Sequence, residues 1–157
     1  MKINYTDIEN ALEYFENKQF SDKSENEILK KFPQVMSYLT SNQFSVLSDE
    51  EYMILSFYIL ILLKIFIDKK VYLPEITGEL IELNETKNWE KLENISNIPF
   101  EEKVYRLFKE ENKDFADFIL SGFYDEEDEK AEVEISLPAQ EIIFITVKTI
   151  FDCFSNY

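Results

Sequence analysis

Carboxylates are the only abundant side chains in this sequence that could do acid–base chemistry. The 157 residues include 32 Asp and Glu, 16 Lys and Arg and no His, so the formal net charge is −16. Without His, the chain lacks the side chain that transfers protons most readily near neutral pH, and a carboxylate hydrolase is the enzyme class left to consider. With so many carboxylates, some pair will lie at a suitable distance by chance, so the distance between two carboxylates is no evidence for a catalytic site. Because no other catalytic motif is present, we expect a protein that is not an enzyme.

Other reactive or ligand-binding motifs are missing from the sequence. Cys153 is the single cysteine, and we expect it to be a small buried residue on a C-terminal helix. The acidic run at residues 125–129 lacks the alternating ligands and the central glycine of a calcium-binding loop. Gly78 and Gly122, the two glycines, cannot form a phosphate-binding loop. The sequence therefore predicts neither a metal site nor a cofactor.

The charge and the apolar runs also bear on nucleic acid and membrane. Arg106 is the only arginine, and acids outnumber bases two to one, so direct binding to nucleic acid is disfavoured. The longest apolar run, residues 52–67, interrupts its 16 residues with Lys64. A membrane span needs about 20 predominantly apolar residues. With no apolar signal segment after Met1, we expect a cytoplasmic protein without membrane contact.

These side chains must be positioned by helices, because two glycines and four prolines supply too few turns for a β-sandwich or barrel. Ser48 and Glu51 form a capping-box pattern ahead of an apolar segment, which predicts a central helix over residues 49–70. The pairs Thr6 with Glu9 and Ser24 with Glu27 predict two earlier helix starts. We expect an all-α, single-domain bundle over residues 1–157, with about six to eight helices around the central one.

Two regions are harder to assign. Asn84 is in a position to cap a helix from Glu85 to Leu92. Residues 133–137 alternate in polarity and residues 142–147 are rich in β-branched side chains, so a short hairpin over 133–147 is an alternative. The length of the apolar pattern from Ala139 to about Phe154 favours a helix.

The negative charge is concentrated in one part of the chain. Residues 75–135 carry 19 acids and seven bases, a net charge of −12. Aromatic residues lie among these acids, and aromatics set within charge are common interface anchors. The alternative is that the segment only supplies solvated helix faces. The candidate anchors and steering charges are Trp89, Phe123, Tyr124, Asp125, Glu126, Glu127, Asp128 and Glu129.

The sequence thus predicts an acidic interaction domain that binds, and in doing so can inhibit, a basic partner protein such as a toxin or a nucleic-acid enzyme. In composition, though in no motif, the chain is similar to toxin-immunity proteins and nucleic-acid mimics. Two alternatives stay open. One is a structural homo-oligomer, for example a homodimer, whose interface lies on residues 52–67 or on the C-terminal helix. The other is a carboxylate-based hydrolase.

Overall fold

The computed structural model describes residues 1–69, 75–123 and 135–155, and the secondary structure within these ranges is helical. This confirms the all-α prediction of a helical bundle. Short 3₁₀-helices at Asn42–Val46 and Glu110–Asn112 join longer elements. The α-helices of the described residues are α1 (Tyr5–Asn17), α2 (Asp22–Leu29), α3 (Pro33–Leu39), α4 (Asp49–Asp68), α5 (Gly78–Asn94), α6 (Phe100–Phe108), α7 (Lys113–Ser121) and α8 (Leu137–Ser155).

Helix α4 lies at the centre of the bundle, as the apolar run predicts. Ser48 begins it with a capping box, since the Ser48 N–H donates to Glu51 at 2.8 Å and the Glu51 N–H donates to the Ser48 hydroxyl at 3.1 Å. Every residue from Tyr58 to Leu63 is buried. The helix ends at Asp68, and Lys70 lies outside the described residues. The sequence prediction of a central helix is therefore confirmed.

Helix α8 packs against α4 and is buried over most of its length. The ring of Phe154 stacks on that of Phe66 with 4.0 Å between centroids. Residues 143–151 are buried without interruption, so neighbouring helices cover α8 on every face. This burial explains why β-branched residues at 142–147 are helical here: tertiary packing outweighs their local preference. The helical alternative for this region is confirmed from Leu137 onward, and residues 133–134 lie outside the described residues.

Two predicted helix starts are wrong by a few residues. Helix α1 is capped by Asn4 and Asp7 instead of Thr6 and Glu9, because the two backbone-to-side-chain hydrogen bonds of that pair, both 3.0 Å, already complete a capping box. Helix α2 begins after Ser21, whose hydroxyl accepts from the backbone N–H of Ser24 at 3.2 Å. Short polar side chains are frequent here, and local pattern alone does not decide which of them is the cap.

The predicted start at Asn84 is also wrong. Helix α5 begins at Gly78 under a Thr77 cap and continues unbroken to Asn94. Asn84 lies in its interior and is buried, with its amide 3.4 Å from the Cys153 sulfur on α8. Long-range packing on α8 fixes this residue, which explains why its capping preference is not expressed.

None of the helices in the described ranges is both long enough and apolar enough to cross a membrane.

Candidate functional site

The structure separates the predicted anchor residues. Trp89 lies half-buried on α5. Phe123 is 9% exposed and packs its ring near those of Tyr58 and Phe100, with centroid distances of 6.3 and 6.4 Å. Its burial leaves little of the ring for a partner to touch. Tyr124 and the acidic run 125–129 lie outside the described residues, so the steering role stays a prediction.

Trp89 adjoins a groove between α3, the first 3₁₀-helix and α5. The groove has a volume of about 470 Å³, within the usual range for binding sites. A recess of about 110 Å³ shares Gln43 and Glu85 with it and is closed by Trp89 and Thr146. We call the larger groove, without the recess, the polar groove. It is lined by Gln34, Ser37, Tyr38, Ser41, Gln43, Gly78, Ile81, Glu82 and Glu85.

Local sequence explains how the walls of this groove form. Pro33 occupies the first turn of α3, where its fixed φ is favourable, and the helix ends at Leu39. The chain then turns into the 3₁₀-helix, which Tyr38 and Phe44 hold against α3 by an edge-to-face ring contact of 5.3 Å. Thr77 caps the facing helix α5. The groove is therefore built from a short α-helix, a 3₁₀-helix and the capped start of the longer helix α5.

Neutral donors surround one carboxylate in the polar groove. The Tyr38 hydroxyl donates to Glu85 Oε2, and the Gln43 amide donates to the same oxygen at 3.5 Å. Burial, and then the hydrogen bond to Glu85, raise the pKa of the Tyr38 phenol well above its ordinary value. The phenol consequently stays protonated as a donor. In the part of the chain described, Glu85 Oε1 makes no hydrogen bond, so it can accept one from a partner.

No glutamate of residues 75–123 forms an ion pair within the described part of the chain. Residues 75–123 carry 12 acids and six bases. Within the described ranges each ion pair uses an aspartate, and no glutamate takes part in one. Glu82 is exposed and Glu85 half-buried, both on the groove side of α5. Their negative charge is therefore directed at whatever enters the polar groove.

A second polar cluster lies buried between α5 and α8. The Asn88 amide donates to Asp152 at 3.0 Å and to Thr149 at 3.3 Å, while Lys148 pairs with Asp152 one turn away. Burial lowers the pKa of Lys148, and Asp152 opposes that shift. These pairs favour a single register of α5 on α8, while the buried Asn88 Oδ1 accepts no hydrogen bond from the described residues. We interpret this cluster as structural.

The lone cysteine is part of the same interface. Cys153 is fully buried, and burial raises the pKa of its thiol to about 11. Thiolate is the reactive form of cysteine, so the raised pKa keeps the thiol unreactive near neutral pH. The sequence-based expectation of a buried residue on a C-terminal helix is confirmed. Among the described residues, no three acidic or cysteine side chains are grouped so as to hold a metal ion.

Sequence reasoning proposed Trp89 as an anchor, which stays a prediction, and missed the polar groove beside it. Tyr38 and Glu85 are 47 positions apart, and neither belongs to a motif. The one usable signal is that Tyr38, on α3, and Trp89, on α5, are large amphipathic residues. Comparison of the chain with protein-family models, curated proteins and solved structures finds no match.

Proposed function

We propose that this chain is a non-enzymatic acidic interaction domain that binds a basic partner protein, and that the polar groove receives a Lys or Arg side chain of that partner. The observation that carries the proposal is the pair of glutamates, Glu82 and Glu85, which lack ion-pair partners among the described residues and line a groove next to Trp89. Inhibition of a toxin or nucleic-acid enzyme is one concrete form of this function. A cytoplasmic location is part of the proposal.

The groove offers the groups that a basic side chain needs. Glu85 Oε1 and the Glu82 carboxylate supply acceptors for charge-assisted hydrogen bonds, which are about twice as strong as neutral ones. The indole of Trp89 supplies an apolar face and a π-surface that attracts cations. Gln34, Ser37 and Ser41 supply neutral polar contacts at the rim. Arg and Trp are also the residue types most enriched at energetic centres of interfaces.

The glutamates outside the groove would act at longer range. Exposed carboxylates on α5 raise the negative potential around the groove, which accelerates encounter with a cation. Such steering weakens with salt, since the Debye length falls to about 8 Å at physiological ionic strength. Contacts inside the groove are screened less. The proposal thus separates a salt-dependent association rate from a less salt-dependent dissociation rate.

The homo-oligomer alternative stays a prediction. Tyr58 to Leu63 on α4 and residues 143–151 on α8 are buried by other helices of the same chain, whereas Met53, in the same apolar run, is 69% exposed. An oligomer interface on this run would have to use its exposed part. The carboxylate-hydrolase alternative stays a prediction.

A titration with an arginine-rich peptide of alternating Arg and Ser tests the proposal. Trp89 is the single tryptophan, so its fluorescence reports events next to the groove. We expect the variant E82Q/E85Q to bind the peptide about tenfold more weakly than the native chain, because charge-assisted hydrogen bonds are lost.

The control is E101Q/E102Q, which removes the same charge from two exposed positions on α6. We expect this variant to bind within about twofold of the native chain. Equal losses for the two variants would mean that the peptide responds only to net charge, and the groove proposal would be wrong. A peptide that leaves Trp89 fluorescence unchanged would contradict it as well.

A further inference from the structure

One face of the central helix α4 is only partly covered by other helices near its start. Its residues Tyr52, Met53, Ser56, Phe57 and Leu60 follow a spacing of about one turn and form the floor of a second groove, with a volume of about 560 Å³. The end of α1 and the start of α2 form its walls. We call it the apolar groove. It is lined by Phe15, Phe20, Asp22, Glu25, Tyr52, Met53, Ser56, Phe57 and Leu60.

Phe20 is held in this wall by the end of α1. The Phe20 N–H donates to the Phe15 carbonyl at 2.9 Å and the Gln19 N–H to the Glu16 carbonyl at 3.0 Å, which are the two hydrogen bonds of a Schellman motif. Gln19 and Phe20 both have positive φ, 56° and 47°. Left-handed backbone costs an L-residue about 1–2 kcal/mol. The turn brings Phe20 into the lining of the groove.

The groove exposes large apolar side chains that stay preorganised. Phe20 stacks on Phe15 at 5.8 Å and lies 6.1 Å from the Phe57 ring, yet 41% of its surface is exposed. Met53, which also lines the groove, is 69% exposed. Methionine adapts its shape to different apolar partners, which suits a binding surface. The fixed rings and the adaptable thioether together form an apolar contact area.

Two carboxylates border this apolar area. Asp22 is exposed and Glu25 half-buried on the first turn of α2, and no basic residue of the described chain pairs with either of them. Burial, and then the charge of Asp22, raise the pKa of Glu25. Both carboxylates therefore remain available to a cation, and a cation bound between them would relieve their repulsion.

We propose that the apolar groove binds an amphipathic helix of a partner protein, with apolar side chains inserted between Phe20 and Met53 and a Lys or Arg placed beside Asp22 and Glu25. Helix-in-groove binding requires apolar anchors at helical spacing against an apolar channel, and the groove has that channel. Because Asp22 and Glu25 at the rim are acidic, the polar face of the partner helix must be positively charged. A second copy of this chain fits poorly, because it would bring the same carboxylates and a charge of −16 against the rim.

This inference does not depend on the polar groove. The two grooves share no lining residue and use different helices, α3 and α5 in one case and α1, α2 and α4 in the other. Their reporters differ too. Trp89 adjoins the polar groove, whereas Met53 lies in the apolar groove. One can therefore fail while the other stands.

The test uses a synthetic amphipathic helix of about 15 residues made of Leu and Lys, with a Leu and Glu peptide of the same pattern as its counterpart. The chain has three methionines, Met1, Met36 and Met53, so carbon-13 labelling of their methyl groups gives three resolvable signals. We expect the Leu and Lys peptide to shift the Met53 methyl and to leave Met36 and the Trp89 indole in place. The Leu and Glu peptide should shift none of them.

Matched variants separate groove binding from general attraction. Met53→Lys and Met36→Lys add the same charge at exposed positions, 69% and 43% exposed, so both should fold. We expect Met53→Lys to weaken binding of the Leu and Lys peptide at least about tenfold. Met36→Lys should weaken it less than about twofold. The variant D22N/E25Q should reduce the salt dependence of binding.

Three results would overturn the proposal. Equal weakening by Met53→Lys and Met36→Lys would show attraction by net charge alone. An unshifted Met53 methyl with the peptide bound would place the peptide elsewhere. A dimer in sedimentation experiments that dissociates in the Met53→Lys variant would identify a second copy of the chain as the occupant.

Discussion

The polar groove and the apolar groove both contain glutamates, but the carboxylates have different surroundings in the two. In the polar groove, Glu85 already accepts hydrogen bonds from Tyr38 and Gln43. In the apolar groove, Glu25 faces a second carboxylate, Asp22, and is partly desolvated. Glu85 accepts hydrogen bonds from neutral donors, whereas Glu25 is repelled by the charge of Asp22. Net charge alone therefore does not describe what an acidic side chain contributes to stability or binding.

Replacing an aromatic in the floor of the apolar groove should have the largest effect. Phe57→Ala removes a half-buried ring that contacts Phe20, Tyr58 and Phe118. We expect unfolding in urea to show a loss of about 2 kcal/mol, below the full cost of a core Phe because the ring is partly exposed. Leu83→Ala, at a position 51% exposed on α5, is the control and should change stability by less than about 0.5 kcal/mol. Similar losses in both would mean that the ring contacts do not organise the groove.

Removing the hydroxyl donor of the polar groove should lower the free energy of unfolding by a smaller amount. Tyr38→Phe leaves Glu85 without its main neutral partner, and we expect a loss of about 1.5 kcal/mol near pH 7. Burial and Glu85 raise the pKa of Tyr38 above its ordinary value of 10.0. Its contribution to stability is therefore complete below about pH 10 and is lost as the pH rises toward the folded-state pKa.

Urea unfolding at several alkaline pH values measures this second effect. The native chain should lose stability above about pH 10, and Tyr38→Phe should lose it less steeply, by up to about 1.4 kcal/mol per pH unit. Parallel pH profiles for the two proteins would contradict the hydrogen-bonding role of Tyr38.

A smaller change of opposite sign is expected at the turn that builds the apolar groove. Gln19 has φ of 56° at the position where a Schellman motif usually has glycine. Gln19→Gly should raise the free energy of unfolding by about 0.5–1 kcal/mol, because relief of the left-handed strain exceeds the added flexibility of the unfolded chain. Thermal unfolding measures the gain. A loss of stability would show that the Gln19 side chain makes a stabilising contact of its own.

The smallest effect distinguishes the two carboxylates by its sign. The raised pKa of Glu25 means that its ionised form is disfavoured in the fold, so stability falls as the pH rises through that pKa. Glu25→Gln should therefore raise stability by about 0.3 kcal/mol near pH 7, a small gain because the carboxylate is solvent-screened. Near pH 3 the gain should vanish. Glu85→Gln, compared by thermal unfolding under the same conditions, should instead lower stability. If the two substitutions change stability in the same direction, the contrast between the grooves is contradicted.

The parts of this fold that the sequence predicted are those with local causes. The capping box at Ser48 and Glu51 and the apolar run behind it determine α4, and the length of the last apolar segment determines α8. Helix starts were less predictable, because Asn4, Ser21 and Thr77 compete with equally suitable polar neighbours. The polar groove was not predictable, since Tyr38 and Glu85 meet only through the packing of α3 on α5. Residues 125–129, the strongest charge signal, lie outside the described part of the chain.

The most direct test places both peptides in one experiment that reads the Trp89 indole and the Met53 methyl together by NMR. The arginine-rich peptide should shift the Trp89 signal and leave Met53 unchanged, while the Leu and Lys helix should shift Met53 and leave Trp89 unchanged. That result would support two separate surfaces with different chemistry. If both peptides shift both signals alike, and the shifts disappear together at high salt, binding follows net charge alone and the account of two grooves is contradicted.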